Sequence, residues 1–292
     1  MTGDPDPFPR AAGPNGVRAR AALAGTRFAD VRWVAETGST NADLLALARA
    51  GEPEGIVEVA DHQTAGRGRR DRTWVAPPGG SLLLSVLLRP PAPVAGAVTM
   101  AAGVAMAAAV ASVAGVTPGV KWPNDLVVAT AGGDRKLAGI LAEADWPAGS
   151  AISAGYRAPA SYERAVVVVG LGINVAWPDD VAGDPAFAAL ADTATALSWL
   201  GAAVDRVDLL VAFLRNLSAR YDALAAGGPA ALMAEWRARS ATLGRRVRVD
   251  LGGGEVEGTA VDITAEGHLV VETGAGERRT VAVGDVVHLR AG

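Results

Sequence analysis

Ile56-Val57-Glu58-Val59-Ala60 and Ser81-Leu82-Leu83-Leu84-Ser85-Val86-Leu87-Leu88 are apolar, strand-like runs, and Gly66-Arg67-Gly68-Arg69-Arg70-Asp71-Arg72 lies between them. Four guanidiniums and two glycines therefore fall in one turn-prone stretch hung from a scaffold of strands. Arginine suits bidentate capture of phosphate and carboxylate. Glycine lets backbone N–H groups approach an anion closely. The stretch reads as a flexible anion clamp; taken alone, such a run also reads as a solvated basic loop.

Upstream, Ser39-Thr40-Asn41 supplies N-cap residue types to a helix expected over 42–51, with Gly51 as its stop. Downstream, Val94–Gly115 carries no charge. It imitates a membrane span, but it is dominated by alanine, which contributes little apolar area, so a buried helix over about 95–114, packed against a sheet, is expected. Pro123-Asn124-Asp125 is turn chemistry and joins Val120-Lys121-Trp122 to Leu126-Val127-Val128 as a hairpin or sharp corner. Strands are predicted over 137–143 and 165–175, the run Val166-Val167-Val168-Val169 being central in a sheet. Helical patterns occupy 193–200, 205–225 and 229–240. From Leu243 onward, short half-exposed strands alternate with Gly-rich turns at 246–249, 256–261, 268–272 and 279–283. These predict a small β-barrel. Residues 1–27, rich in Pro, Gly, Ala and Arg and without periodicity, read as a flexible arm. The fold class expected is α+β: a mixed sheet with packed helices over 28–241 and a barrel over 242–292.

Composition narrows the chemistry. Half of the 292 residues are hydrophobic and the net charge is −4, which gives no global reason for nucleic-acid binding. The chain has no cysteine, so disulfides, thiolate zinc sites and thiol catalysis are excluded, and a cytoplasmic location is expected. Its three histidines, at 62, 268 and 288, have no metal-ligand spacing. No secretory signal and no helix-turn-helix pattern is read near the start. A phosphate loop, a complete dinucleotide fingerprint and a nucleophile elbow are all missing from the sequence. Any nucleotide must therefore be gripped by other cations, and the arginines are the obvious supply.

Four clusters accompany the arginines. Thr37-Gly38-Ser39-Thr40-Asn41 caps a helix or binds a polar ligand group. Lys121-Trp122-Pro123-Asn124-Asp125 places a cation, an aromatic ring, an amide and a carboxylate at one corner; turn formation accounts for its last three residues more easily than for Lys and Trp. Arg135-Lys136-Leu137-Ala138-Gly139-Ile140-Leu141-Ala142-Glu143 sets two cations at the mouth of an apolar strand, with Gly139 marking a close approach. Gly170-Leu171-Gly172-Ile173-Asn174-Val175 reads either as a ligand floor or as a β-bulge.

Together and in this order, these motifs resemble the biotin protein ligase family over roughly residues 31–290. The resemblance extends through Gln63-Thr64-Ala65 before the arginines and Thr73-Trp74 after them. It implies the biotin–lipoate ligase fold, similar to class II synthetases, with an SH3-like terminal barrel. The implied reaction is ATP-dependent formation of biotinyl-5′-AMP, followed by transfer of biotin to one lysine of a biotin carboxyl carrier protein. A lipoate or octanoyl ligase or transferase of the same fold is the alternative. ATP and Mg²⁺ are the implied cofactors, and no specific DNA and no membrane are expected as partners, the stretch before the resemblance being too short and too rich in Pro and Gly for the DNA-binding domain of some relatives.

Residue by residue, the resemblance gives Ser39, Thr40, Gln63, Gly66, Arg67, Lys136 and Gly139 to biotin. It gives Arg69, Arg70, Arg72, Trp74, Lys121, Asn124 and Asn174 to ATP or biotinyl-AMP. Lys136, Arg69 and Asp125 are its catalytic group, and Asn174 is placed near a phosphate-borne Mg²⁺. Asp71 stands where some relatives have Gly, a change that either neutralises or stiffens the loop. A clamp of this kind orders on its ligand and keeps water from an anhydride. Limited proteolysis should therefore cut at Arg69–Arg72 in the ligand-free protein and be suppressed by biotin plus ATP; equal cutting in both states would remove the clamp reading.

Overall fold

The computed structural model describes residues 13–145 and 164–289, except 181, 182, 185, 186, 191 and 275. Its centre is a seven-stranded sheet of order β1-β2-β3-β7-β6-β5-β4. The strands are β1 Val31–Thr37, β2 Val57–Gln63, β3 Ser81–Leu88, β4 Gly119–Lys121, β5 Asp125–Thr130, β6 Gly133–Asp145 and β7 Val166–Asn174. Only β1 and β2 are parallel, joined by the crossover helix α2, Thr40–Arg49; every other neighbour pair is antiparallel.

All eight residues of β3 are buried, because both faces of the sheet are covered. Alternate side chains separate the faces. Leu82, Leu84, Val86 and Leu88 join Val167, Val169, Leu171 and Ile173 in the main core, against α3 (Val98–Ala114) and α4 (Arg206–Gly227). Leu87 and Val168 face the other way, against Leu44, Leu47 and Ala48 of α2. Ser85 shares this second face with Leu87.

The uncharged segment behaves as its alanines foretell. Ala92–Ala114 is long and apolar enough to cross a membrane by length and composition, yet 72% of its apolar window lies inside the fold. Small side chains let α3 pack closely: a Cβ on Gly103 would stand 3.3 Å from Ile140 of β6. The helix ends at Gly115 in the left-handed region, φ 66°.

The terminal strands form a five-stranded antiparallel sheet of order β11-β10-β9-β8-β12. They are β8 Arg246–Asp250, β9 Glu255–Ile263, β10 Leu269–Glu272, β11 Arg278–Val281 and β12 Asp285–His288. Val247, Val249, Ala260, Leu269 and Val271 are buried and continuous with the main core, so this small sheet does not rely on its own interior. Trp122 Nε1 donates to Gly267 O at 2.9 Å and fastens the two sheets together.

Three expectations need correction. Part of the supposed arm is a helix, α1, Pro14–Ala22, with Pro at its first position. Ala19, Leu23 and Phe28 are fully buried against the core. The Pro- and Gly-rich composition hid a nine-residue helix whose one buried stripe is mostly alanine and glycine. Residues 1–12 of that arm lie outside the described residues. The helix expected at 193–200 is reduced to a 3₁₀ turn, Ser198–Leu200, because Lys136 N donates to Thr193 O and Thr195 N donates to Lys136 O, which draws the chain alongside β6. The sequence reading also omitted β1 and β12. α5, Ala230–Ala238, falls inside its predicted range.

Glu58 is a polar group buried on β2 beside Arg32 and Asp43. Desolvation first, then the Asp43 charge and hydrogen bond, push its carboxyl up to about 8. The folded state thus binds a proton that the unfolded chain releases near 4.5, so stability falls as pH rises between these values. Glu58→Gln should raise the melting temperature by a few degrees at about pH 9 and leave it nearly unchanged at about pH 5. A pH-independent difference in thermal melts would contradict this assignment.

Candidate active site

The face of the sheet that α2 covers only in part holds a cavity of about 440 Å³. Its floor is where side chains are missing. Gly139 of β6 pairs with Gly172 of β7, and Gly170 lies one pleat further on the same face. A Cβ on Gly172 would come within 2.5–2.7 Å of the Trp74 indole, and one on Gly139 within 2.8 Å of the same ring. The two glycines form a saddle in which Trp74 sits, its Nε1 buried without a hydrogen-bond partner. A Cβ on Gly170 would fall 2.2 Å from Asn41 Oδ1. The ligand-floor reading of these glycines fits the geometry; the bulge reading does not, since β7 pairs in unbroken register with both neighbours.

One end of the cavity is polar and nearly dry. Gln63, last on β2, accepts from Thr40 N at 2.9 Å and stands 3.2 Å from Thr40 Oγ1. Thr40 Oγ1 is 2.7 Å from Ser85 Oγ, which donates to Asn41 Oδ1 at 2.6 Å. Asn41 Nδ2 donates to Glu143 Oε2 at 2.7 Å, and the same oxygen accepts from Arg67 Nη2 at 2.8 Å. The cap of α2 is therefore supplied by Gln63 rather than by Ser39, whose side chain makes no cap bond and lines the cavity. The structure thus gives Ser39 a place at the cavity instead of the capping duty that the sequence left open.

The other end is cationic. Lys136 Nζ lies 2.7 Å from Asp125 Oδ1 and 5.4 Å from the centre of the Trp74 ring, a cation–π distance. Lys121, at the end of β4, is held below the ordinary lysine value, first by burial, with Lys136 adding to the effect and Asp125 opposing it. Asn124 stitches the corner to β6, donating to Ile140 O at 2.6 Å, while its Oδ1 accepts from Arg69 at 3.3 Å. The Trp122–Pro123 bond at this corner is cis.

The arginine stretch is a short antiparallel hairpin. Trp74 N donates to Gly66 O, Arg67 bridges Thr73, and Gly68 N donates to Arg72 O. A Cβ on Gly66 would lie 2.6 Å from Trp74 O, so this glycine serves the hairpin and not the cavity wall. Arg70 and Asp71 at the tip have φ of 51° and 57°. Positive φ at both central residues is the type I′ pattern, in which Gly, Asn and Asp are the favoured residues. Asp71 therefore suits its place in a strained turn; its carboxylate is not what balances the arginines. That work falls to Asp250 and Asp285 on the terminal sheet, which the sequence reading did not single out. Arg69 and Arg72 line the cavity; Arg70 turns away from it to Asp250, 2.9 Å distant.

Among the residues expected at the site, only Gly66 and Arg70 stand outside the cavity wall. Glu143 and Ser85 were not picked out, and Asn41 was quoted without a role. Their signal is faint because each is one polar residue in a stretch read for other features. Trp177, Leu190 and Ala194 add an apolar rim, with Trp177 in edge contact with Phe187 and Trp199. Asn174, expected beside a metal, lines the cavity, but its Nδ2 donates to Thr195 O at 2.9 Å and its Oδ1 lies 3.4 Å from Ser81 Oγ. No three His, Asp or Glu side chains gather to hold a metal among the described residues. The residues do not fit a resident magnesium ion.

Comparison with known proteins agrees with this geometry. Residues 35–147 match the biotin/lipoate A/B protein ligase family, and residues 242–289 match the biotin protein ligase C terminal domain. The chain is similar to the biotin–acetyl-CoA-carboxylase ligase of Mycobacterium tuberculosis, 42% identical over 91% of this chain and 92% of that one. It is 31% identical to the bifunctional ligase/repressor BirA of Bacillus subtilis, over 82% of this chain and 69% of the relative. In fold it resembles the Aquifex aeolicus biotin protein ligase in complex with biotin and ATP, with a TM-score of 0.68 and 24% identity, covering 90% of this chain and all of that one.

Gly172→Ala tests the saddle. The added methyl has no room beneath the Trp74 indole, so the ring must leave its seat. The near-ultraviolet circular dichroism of the indoles should change, while the far-ultraviolet spectrum stays that of the parent. An unchanged near-ultraviolet spectrum would mean that Gly172 does not seat the ring.

Proposed function

The chain belongs to the biotin protein ligase family, and we propose that its cavity joins biotin to ATP and hands the biotinyl group to a lysine of a biotin carboxyl carrier protein. The relative at 42% identity and 91% coverage, named as a biotin ligase, decides between biotin and lipoate. The observation that carries the reading is the convergence of Lys121, Lys136, Arg69 and Arg72 on one cavity whose opposite end is a hydrogen-bonding network of Gln63, Thr40, Ser85 and Asn41.

Biotin suits both ends. Its ureido group donates through N–H and accepts through its carbonyl; Ser39, Thr40 and Gln63 offer complementary partners, with Arg67 anchored beside them by Glu143. Its aliphatic chain runs along the Trp74 indole that the glycine saddle seats. Its carboxylate then reaches Lys136.

Two anions must meet there, and four cations permit it. A carboxylate oxygen attacks the α-phosphorus of ATP, the bond to the β-phosphate oxygen breaks, and pyrophosphate leaves. Lys136 exchanges its bond to Asp125 for the carboxylate and α-phosphate, while Arg69 and Arg72 close over the new anhydride. In the second step, a neutral lysine amine of the carrier attacks the biotinyl carbonyl and AMP departs. At pH 7 only about one such amine in 2,500 is neutral. Holding it against the anhydride offsets part of that deficit by proximity.

Magnesium comes with the nucleotide's phosphates in this reading and is not caged by side chains. The same reading divides the chain into a catalytic unit over 28–241, on which α1 packs, and a barrel over 242–292. It places the protein in the cytoplasm, consistent with its lack of cysteine.

Biotin-dependent ATP–pyrophosphate exchange should be present in the parent and fall at least about a hundred-fold in Lys136→Ala. Exchange driven by lipoate and not by biotin would reassign the substrate.

A further inference from the structure

Three arginines of the hairpin converge on a single carboxylate that belongs to the terminal sheet. Asp285, first residue of β12, lies 3.6 Å from Arg69 Nη1 and 3.5 Å from Arg70 Nη1, and accepts a hydrogen bond from Arg72 Nη2. Its side chain is only 21% exposed and it lines the cavity. Two more contacts fasten the tip to the same sheet: Arg70 Nη2 donates to Asp250 O at 3.0 Å, and Arg69 Nη1 to Gly284 O at 3.3 Å. The hairpin tip meanwhile holds two successive non-glycine residues at positive φ. Such a turn persists only where its surroundings over-determine it.

We propose that Asp285 is a positioning residue of the ligase reaction: it gathers Arg69, Arg70 and Arg72 and so favours the closed over the open position of the arginine hairpin at the cavity, lowering the ordering free energy that the ligands must supply.

The charge balance gives the direction of the effect. Burial works against the Arg69 guanidinium, Arg70 and Arg72 add repulsion, and Asp285 is the leading opposing influence. Without that carboxylate, three like charges would crowd at one turn and the strained tip would lose its anchor, so the hairpin would open. ATP would then have to supply the ordering free energy itself, and its apparent affinity would drop by the fraction of closed hairpin. The anions of the substrate do not make Asp285 redundant. Each guanidinium carries five N–H donors, and Asp285 engages one nitrogen of each, leaving donors on Arg69 and Arg72 for the cavity.

This inference rests on the proposed biotin ligase activity, and its test separates the two. The parent, Asp285→Asn, Asp285→Glu and Asp250→Asn are compared in biotin-dependent pyrophosphate exchange, in biotin binding by calorimetry, and in the rate at which preformed biotinyl-5′-AMP escapes and hydrolyses. The expectation for Asp285→Asn is a KM for ATP raised about ten-fold and a similar acceleration of adenylate loss. Biotin affinity should stay within about two-fold of the parent. Asp285→Glu should restore most of the loss, and Asp250→Asn, which removes one contact to one arginine, should show a smaller effect of the same kind. If Asp285→Asn does not fold, Asp250→Asn decides, because an anchoring role requires it to raise KM for ATP and adenylate loss together. KM and adenylate loss at parental values in Asp285→Asn, or in Asp250→Asn where Asp285→Asn does not fold, would overturn the proposal. A parent protein without biotin-dependent exchange would overturn the ligase reading instead.

Discussion

Everything about the cavity depends on a local lack of side chains. Gly139, Gly170 and Gly172 lie on one face of two adjacent central strands, and no Cβ fits at any of them beneath Trp74 or Asn41. The flanking positions on the opposite face, Ile140, Leu171 and Ile173, are buried core residues. One pair of strands therefore anchors the fold with one set of alternate residues and opens a binding trough with the other. A glycine in a strand interior costs about 0.5–1 kcal/mol relative to alanine. Here that cost is offset by pairing on both sides, since β7 is hydrogen-bonded to β3 and β6 along its length.

The polar end of the trough obeys the rule that buried polar groups must be satisfied. Gln63, Thr40, Ser85, Asn41, Glu143 and Arg67 form one connected chain of contacts, in which the cap of a helix, a central strand and the base of the arginine hairpin share partners. Loss of Thr40, Ser85 or Asn41 would leave a neighbour short of a partner in a buried place. The cationic end is arranged on a different principle. Lys136 is paired with Asp125 within the central sheet, whereas the arginines of the hairpin tip are restrained by Asp250 and Asp285 of a separate sheet.

Much of this was legible because it is local. Apolar alternation in β3 and β7, turn chemistry at Pro123–Asp125 and the uncharged helix α3 each state their own structure within a dozen residues. The motif spacings located most of the cavity wall as well. What escaped is non-local or compositionally quiet. Asp285 meets Arg72 across 213 positions of sequence, and an aspartate before two valines carries no sign of that encounter. Ser85 sits inside a leucine run where a buried hydroxyl reads as noise. Helix α1 has too little apolar surface to announce itself; it exists because Ala19 and Leu23 find a neighbouring helix and strand to cover. The segment at 193–200 has helical spacing, but its backbone hydrogen bonds go to Lys136 of β6 and to Asn174 and Val175 at the end of β7, a case of tertiary pairing overriding local pattern.

The placement of β12 has a consequence in time. A ribosome makes the arginine hairpin early, the strands of the glycine floor later, and Asp285 later still. Domains fold as units during synthesis, so a nascent chain can assemble the floor and the polar network while its basic hairpin still lacks a carboxylate to hold it. The ability to retain a reactive anhydride is thus acquired near the close of translation, after the walls of the cavity exist.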